Sequence, residues 1–158
     1  ELENVFNSFE KTLNGFNNEH GFANSRARLR MATLYQVAAA NSGIVVGTGN
    51  KIEDFGVGFY TKYGDGGVDI SPIADCNKTQ VWELGKHLGI SNKIIEAEPT
   101  DGLWHDGRSD KDQLGMSYSE LEKVMEDKND PNHKKYLEIR KKNIHKMKPI
   151  PICKFDEK

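Results

Sequence analysis

An α/β fold built on a parallel sheet is the class this sequence predicts, and three observations carry it. The short apolar run Ile44-Val45-Val46, bounded by Gly43 and Gly47, has the pattern of a buried parallel strand. A helical pattern running to about Asn41 leads into it, which makes one helix-then-strand unit. Directly after the strand comes Gly47-Thr48-Gly49, a loop at the position where open α/β sheets bind their ligands.

The elements follow in order. Val5, Phe6, Phe9 and Leu13 recur at helical spacing and predict a first helix. Residues 14–23 are polar and contain glycines, which predicts a loop. Asn24 or Ser25 then caps a second helix to about Asn41, with Met31, Leu34, Tyr35 and Val37-Ala38 as its apolar face. Lys51 to about Phe55 starts a short helix that Gly56 and Gly58 interrupt. Residues 61–70 are too rich in Gly and Asp for a regular strand, and Ile70 and Ile73 flank Pro72 in a short extended piece. Asn77 caps a helix carrying Val81, Leu84 and Leu88, closed by Gly89; Ser91 begins a shorter one ending near Ile95. Residues 97–115 form one long loop, a length typical of lids and binding loops. Ser117 and Glu120 form a capping box for a helix with Leu121, Val124 and Met125. Pro131 opens the last helix, with Tyr136, Ile139 and Ile144 on its apolar side, and an extended tail follows from Lys148. No internal repeat or linker divides the chain, so residues 1–158 read as part of one domain.

Composition narrows the function classes. The 158 residues carry a net charge of -2, which provides no global attraction to nucleic acid or an anionic membrane. No run has the length of a membrane span and no signal-peptide pattern opens the chain. Cys76 and Cys153 lie too far apart in sequence to suggest a disulfide framework or a zinc site, and a reducing cytoplasmic setting is the default. A hydrophobic fraction of 36% is low. Either part of the chain is mobile or its apolar partner lies in another segment or subunit. The opening on Glu1, inside a helical pattern, leads us to expect a fragment.

Chemistry concentrates around the strand-end loop. Thr48 offers a hydroxyl for a phosphate, and Glu53 a hard oxygen for Mg²⁺, which takes one or two protein carboxylates plus substrate phosphates. A turn-tying Thr and an ordinary helix-start Glu are the bland alternatives. Lys62, Asp65 and Asp69 sit in a glycine-dense loop whose backbone can approach a ligand closely; a surface turn would look the same. Lys78 follows an N-cap, where helix ends bind phosphate readily; an ordinary surface lysine is the equal alternative. Arg26, Arg28 and Arg30 form either a solvated cationic face or contacts to carboxylate or phosphate. The basic run 134–148 reads as a solvated helix face, since its aromatic interleaving is poor. No Ser-His-Asp set and no histidine spacing of a metal site is present.

Taken together, several segments resemble the ammonia-dependent NAD synthetase family of N-type ATP pyrophosphatases. They are Asn24-Ser-Arg-Ala-Arg-Leu-Arg-Met31, Gly47-Thr-Gly-Asn-Lys-Ile-Glu53, Gly58-Phe-Tyr-Thr-Lys-Tyr-Gly-Asp-Gly-Gly67, Glu98-Pro-Thr100, Ser109-Asp110 with Leu114-Gly-Met-Ser-Tyr118, and His145-Lys146. Each is short; their co-occurrence in this order is specific. The resemblance implies a Rossmann-like parallel sheet flanked by helices, of the adenine nucleotide alpha hydrolase type. It implies a two-step amidation in which ATP adenylates the nicotinate carboxylate of deamido-NAD and ammonia then displaces AMP. Thr48, Lys78 and Thr100 would contact ATP, Glu53 would bind Mg²⁺, and Arg28, Lys62, Asp69, His145 and Lys146 would hold deamido-NAD. A homodimer with the dinucleotide across its interface is implied too, and the long loop Thr100–Gly115 would be a mobile cover.

Two departures shape the expectation. Asp54-Phe55-Gly56-Val57-Gly58 is one residue longer than in many members, which bears on how Lys62 faces the site. The family's Ser-Gly-Gly-x-Asp-Ser pyrophosphate loop is absent, so the expectation is the C-terminal portion of a synthetase, inactive by itself. A non-catalytic nucleotide-binding or dimerisation module and another ATP pyrophosphatase amide ligase are the alternatives; a nucleic-acid binder is the weakest.

Overall fold

A computed structural model describes residues 1–155. Among them the chain runs α1 (Glu3–Thr12), a 3-10 turn (Asn14–Phe16), α2 (Glu19–Ala40), a π-helical segment (Lys51–Val57), α3 (Lys78–His87), α4 (Asn92–Ile95), α5 (Asp110–Leu114), α6 (Tyr118–Glu126) and α7 (His133–Met147). No helix among the described residues is long and apolar enough to cross a membrane. The tail from Lys148 has no regular element as far as Phe155, and its last three residues lie outside the described residues.

Local chemistry explains where the elements differ from expectation. The second helix begins at Glu19, since the Asn18 side chain accepts from Gly21 N at 2.7 Å and caps it earlier than Asn24 would. The short helix after the strand passes through Gly56 and ends at Gly58, which adopts the left-handed conformation (φ 66°). Gly56 leaves room for Met125: a Cβ there would sit 2.7 Å from its sulfur and displace that side chain. The long loop ends sooner than expected because Ser109 caps α5, accepting from Asp112 N. Ile73 lies in a turn, with Cys76 N donating to its carbonyl at 3.0 Å, whereas Ile70 is extended.

The expected sheet is reduced, among the described residues, to one parallel bridge between Val46 and Ile70. Gly47 N donates to Ile70 O at 2.7 Å and Asp69 N to Val45 O at 2.9 Å. The Asp69 carboxylate also accepts from Val45 N at 2.8 Å. Side chains that a sheet normally buries stay open: Ile44 is 60% exposed and Val46 52%. The apolar face expected of α2 is likewise open at Leu34 and Val37, and that helix buries Ala23 and Ala27 instead.

The core lies on the other side of the strand-end loop. Ile52 and Val57 of the π segment pack with Leu121 and Val124 of α6, Tyr136 of α7, and Leu114 and Met116. Ile52, Val57, Leu121 and Val124 are fully buried, each worth about 1.5–3 kcal/mol relative to exposure. Arg140 of α7 donates to the carbonyls of Phe55 and Gly56, a cation at the helix end where carbonyls lack partners. The π segment is thereby clamped from two helices, and its other face, carrying Glu53 and Asp54, is held toward the strand end.

Candidate functional site

A cavity of about 560 Å³ opens beyond the end of the Val45-Val46 strand. Its wall takes Thr48 from the strand-end loop, Glu53 and Asp54 from the π segment, and Lys78 from the start of α3. Thr100 and Asp110, from the two ends of the long loop, complete the polar part. The four residues expected at ATP and metal therefore come together, from segments up to a third of the chain apart.

The site is built on Asn50. This side chain is 1% exposed, and its Oδ1 accepts from Ile52 N and Glu53 N, both at 3.0 Å. Such a cap satisfies helix-start donors and stabilises by about 1 kcal/mol. Its Nδ2 donates to Glu53 Oε2 at 2.5 Å. Glu53 Oε1 accepts from Lys78 Nζ at 2.7 Å and from the Tyr118 hydroxyl at 2.6 Å. That hydroxyl also lies 2.6 Å from Asp110 Oδ2. Burial, then the Glu53 charge, drives the Tyr118 phenol far above its usual range, so it remains a donor. The Asp110 carboxyl is raised chiefly by burial and further by Glu53, against the lowering effect of the Tyr118 hydrogen bond. Thr100 Oγ1 donates to Arg108 O at 3.2 Å and Asp110 N to Pro99 O at 3.0 Å, so the loop's ends are tied beside the cavity.

Asp54 adds a third acid. Burial, with Glu53 and Asp65 behind it, pushes its carboxyl up to about 7, while Lys146 acts in the opposite sense. Its carboxylate fills the space over Gly49, where a Cβ would lie 1.9 Å from Oδ2. A side chain at position 49 would thus collide with the acid that lines the cavity.

The residues expected at deamido-NAD lie off this wall. Arg28 Nε donates to Lys62 O at 3.3 Å, and Lys62 Nζ to His145 O at 3.4 Å, so these three are brought together. Asp69 makes its hydrogen bonds elsewhere, accepting from Val45 N and from the Tyr35 hydroxyl at 3.1 Å. Lys146 Nζ donates to Gly58 O at 2.8 Å and Tyr60 O at 2.6 Å. Burial lowers its ammonium, against the raising effects of Asp65 and Asp54.

Sequence reasoning assigned no role to Asn50, Asp54, Asp110 or Tyr118. The signal for the last two was their place in the Ser109-Asp110 and Leu114–Tyr118 motifs; nothing in the spacing put them against Glu53. No group of three or more His, Cys, Asp or Glu among the described residues could hold a metal. Magnesium needs only one or two protein carboxylates when substrate phosphates supply the rest, so hard oxygens at this wall fit it. In the structure Lys78 supplies the positive charge at Glu53.

A sequence model of the NAD synthase family matches residues 1–155. The NH(3)-dependent NAD(+) synthetase of Thermoplasma volcanium is 38% identical over 154 residues, covering 93% of this chain and 62% of that protein. That of Methanococcoides burtonii is 48% identical over 107 residues, covering 68% of this chain and 40% of its own length. Among solved structures, an NMN synthetase from Francisella tularensis superposes with a TM-score of 0.89 at 31% identity, over 98% of this chain and 65% of that one. An NH3-dependent NAD synthetase from Campylobacter jejuni shares the fold, with a TM-score of 0.72 at 24% identity over 98% of this chain and 64% of its own. The chain thus spans at most 62% of the length of these two curated relatives. With the family's sequence pattern along its described length and the fold of its solved relatives, the chain belongs to the NAD synthase family.

Proposed function

We infer that this chain serves ATP-dependent amidation of the nicotinate carboxylate of deamido-NAD by ammonia, giving NAD. The observation that carries the reading is the convergence of Thr48, Glu53, Lys78 and Thr100 on one cavity wall. The chemical difficulty is charge, since an anionic carboxylate attacks the α-phosphate of an anionic nucleotide. Catalysis therefore rests on positioning and electrostatic neutralisation. In the first step a carboxylate oxygen bonds to the α-phosphorus and pyrophosphate leaves. In the second, ammonia adds to the acyl carbon, loses a proton, and AMP departs. Lys78 brings a cation to the phosphates, the Thr48 and Thr100 hydroxyls donate to their oxygens, and Glu53 holds Lys78 and would hold Mg²⁺. When bound, Mg²⁺ supplies charge neutralisation at the phosphates. Arg28, Lys62, Asp69, His145 and Lys146 hold the dinucleotide.

The reading includes a cytoplasmic homodimer whose parallel sheet is completed by another segment or subunit; the exposed Ile44, Val46, Leu34 and Val37 support it. It also holds that turnover needs the Ser-Gly-Gly-x-Asp-Ser loop. The test measures AMP and NAD formed from ATP, deamido-NAD and ammonia, with residues 1–158 alone and fused to the loop-bearing segment of the Thermoplasma volcanium relative. Turnover is expected only from the fusion. No AMP release by the fusion sinks the amidation reading, and turnover by residues 1–158 alone sinks the requirement for the loop.

A second reading takes nicotinate mononucleotide as the acid, and the TM-score of 0.89 with an NMN synthetase favours it. The chemistry at the carboxylate is the same. Running both acids in parallel separates the two by their relative kcat/KM.

A further inference from the structure

Tyr118, Glu53 and Asp110 pose a counting problem. One hydroxyl carries one proton, yet two carboxylate oxygens lie 2.6 Å from it. Only one of them can accept that hydrogen, so the other contact needs a further positive charge, either a proton on the carboxyl itself or a cation beside it. Glu53 is compensated by Lys78, and its second oxygen accepts from Asn50. Asp110 is 6% exposed, and its Oδ1 is buried with no hydrogen-bond partner. A buried carboxylate oxygen without a partner is costly, and sites that keep one tend to be completed by something absent from the bare protein. With Asp110 ionised, two carboxylates and one ammonium leave the group one positive charge short, at the wall of the cavity.

We propose that Asp110 is a further carboxylate that this chain supplies, beside Glu53, to a divalent-cation site, braced by the Tyr118 hydroxyl. A hard divalent cation with an oxygen shell fits: it needs few protein carboxylates and takes the remainder from water or phosphate. The placement also ties the cation to the long loop, because Asp110 N holds Pro99 O at the loop's base. The inference rests on the nucleotide-amidation reading for its biological sense, but its test does not require turnover.

The experiment titrates the 158-residue chain with Mn²⁺ alone and follows the free-ion signal by electron paramagnetic resonance. Asp110→Asn preserves shape and an acceptor for Tyr118 while removing the charge. It is expected to weaken Mn²⁺ binding tenfold or more, with a melting temperature equal to or above that of the parent. An Asp110→Asn chain that binds Mn²⁺ within twofold of the parent overturns the proposal, as does a parent chain that binds none. Should Asp110→Asn fail to fold by circular dichroism, Tyr118→Phe decides. It retains both carboxylates and loses the brace, and is expected to weaken binding threefold or more; unchanged binding overturns the proposal. Unchanged Mn²⁺ binding in Asp110→Asn leaves amidation standing, whereas Mn²⁺ binding through Asp110 without AMP release by the fusion overturns amidation alone.

Discussion

Replacing Asp54 with Asn isolates what this buried acid costs the fold. Its carboxyl rises from the usual 3.8 to about 7, chiefly through burial. Each pH unit of such a shift corresponds to about 1.4 kcal/mol, so the full difference approaches roughly 4 kcal/mol. The side chain keeps partial contact with water, and screening brings the expected figure to about 2 kcal/mol. The sign follows from proton counting. Unfolded Asp54 releases its proton near 3.8, whereas in the folded chain it keeps it to about 7. Between those values the native state binds more protons, and stability falls as pH rises through the window. Asn has no proton to lose. The stability difference between Asp54→Asn and the parent should therefore be small near pH 4, grow through pH 5–7, and level off above pH 8 at about 2 kcal/mol in favour of the variant. Urea denaturation followed by circular dichroism at pH 4, 6 and 8 measures it. A difference independent of pH, or a parent more stable than the variant at pH 8, would refute the reasoning.

Three further outcomes follow from the same geometry. Gly49→Ala places a Cβ 1.9 Å from the Asp54 carboxylate and should destabilise by about 1–3 kcal/mol; in an Asp54→Ala background most of that cost should vanish, as a double-mutant cycle would read. Leu121→Ala, at a fully buried position between the π segment and its supporting helices, should cost about 2–5 kcal/mol in denaturant unfolding. Lys78→Met removes the cation from Glu53. It should cost about 2–3 kcal/mol of stability, less than a fully buried pair because the partners are 18% and 15% exposed. In the loop-bearing fusion it should also reduce AMP release by at least tenfold, measured chromatographically.

Much of the helical layout was legible because helix ends announce themselves locally. Ser117 with Glu120 predicted the start of α6, and Asn77 that of α3, since capping involves residues three apart. Capping also explains the misses. Asn18 precedes a polar stretch with no hydrophobic period, so the first turns of α2 read as loop. Ser109 with Asp112 hid a helix inside an expected loop. The apolar periodicity of α2 was real, yet it identified a face that the described residues leave open.

The site divides in the same way. Sequence alone determined which chemical groups follow the strand end: a hydroxyl at Thr48, a carboxylate at Glu53, a lysine behind a helix cap at Lys78, because strand-end loops and helix starts are short-range features. It also determined the family, through motifs kept in order. Only the tertiary structure decided that Tyr118 and Asp110 meet Glu53, that Asp54 lies over Gly49, and that Lys146 is held by the Gly58 and Tyr60 carbonyls. These are contacts between segments whose approach depends on how the core packs the π segment against α6 and α7. No local pattern encodes the distance between side chains 65 residues apart in sequence.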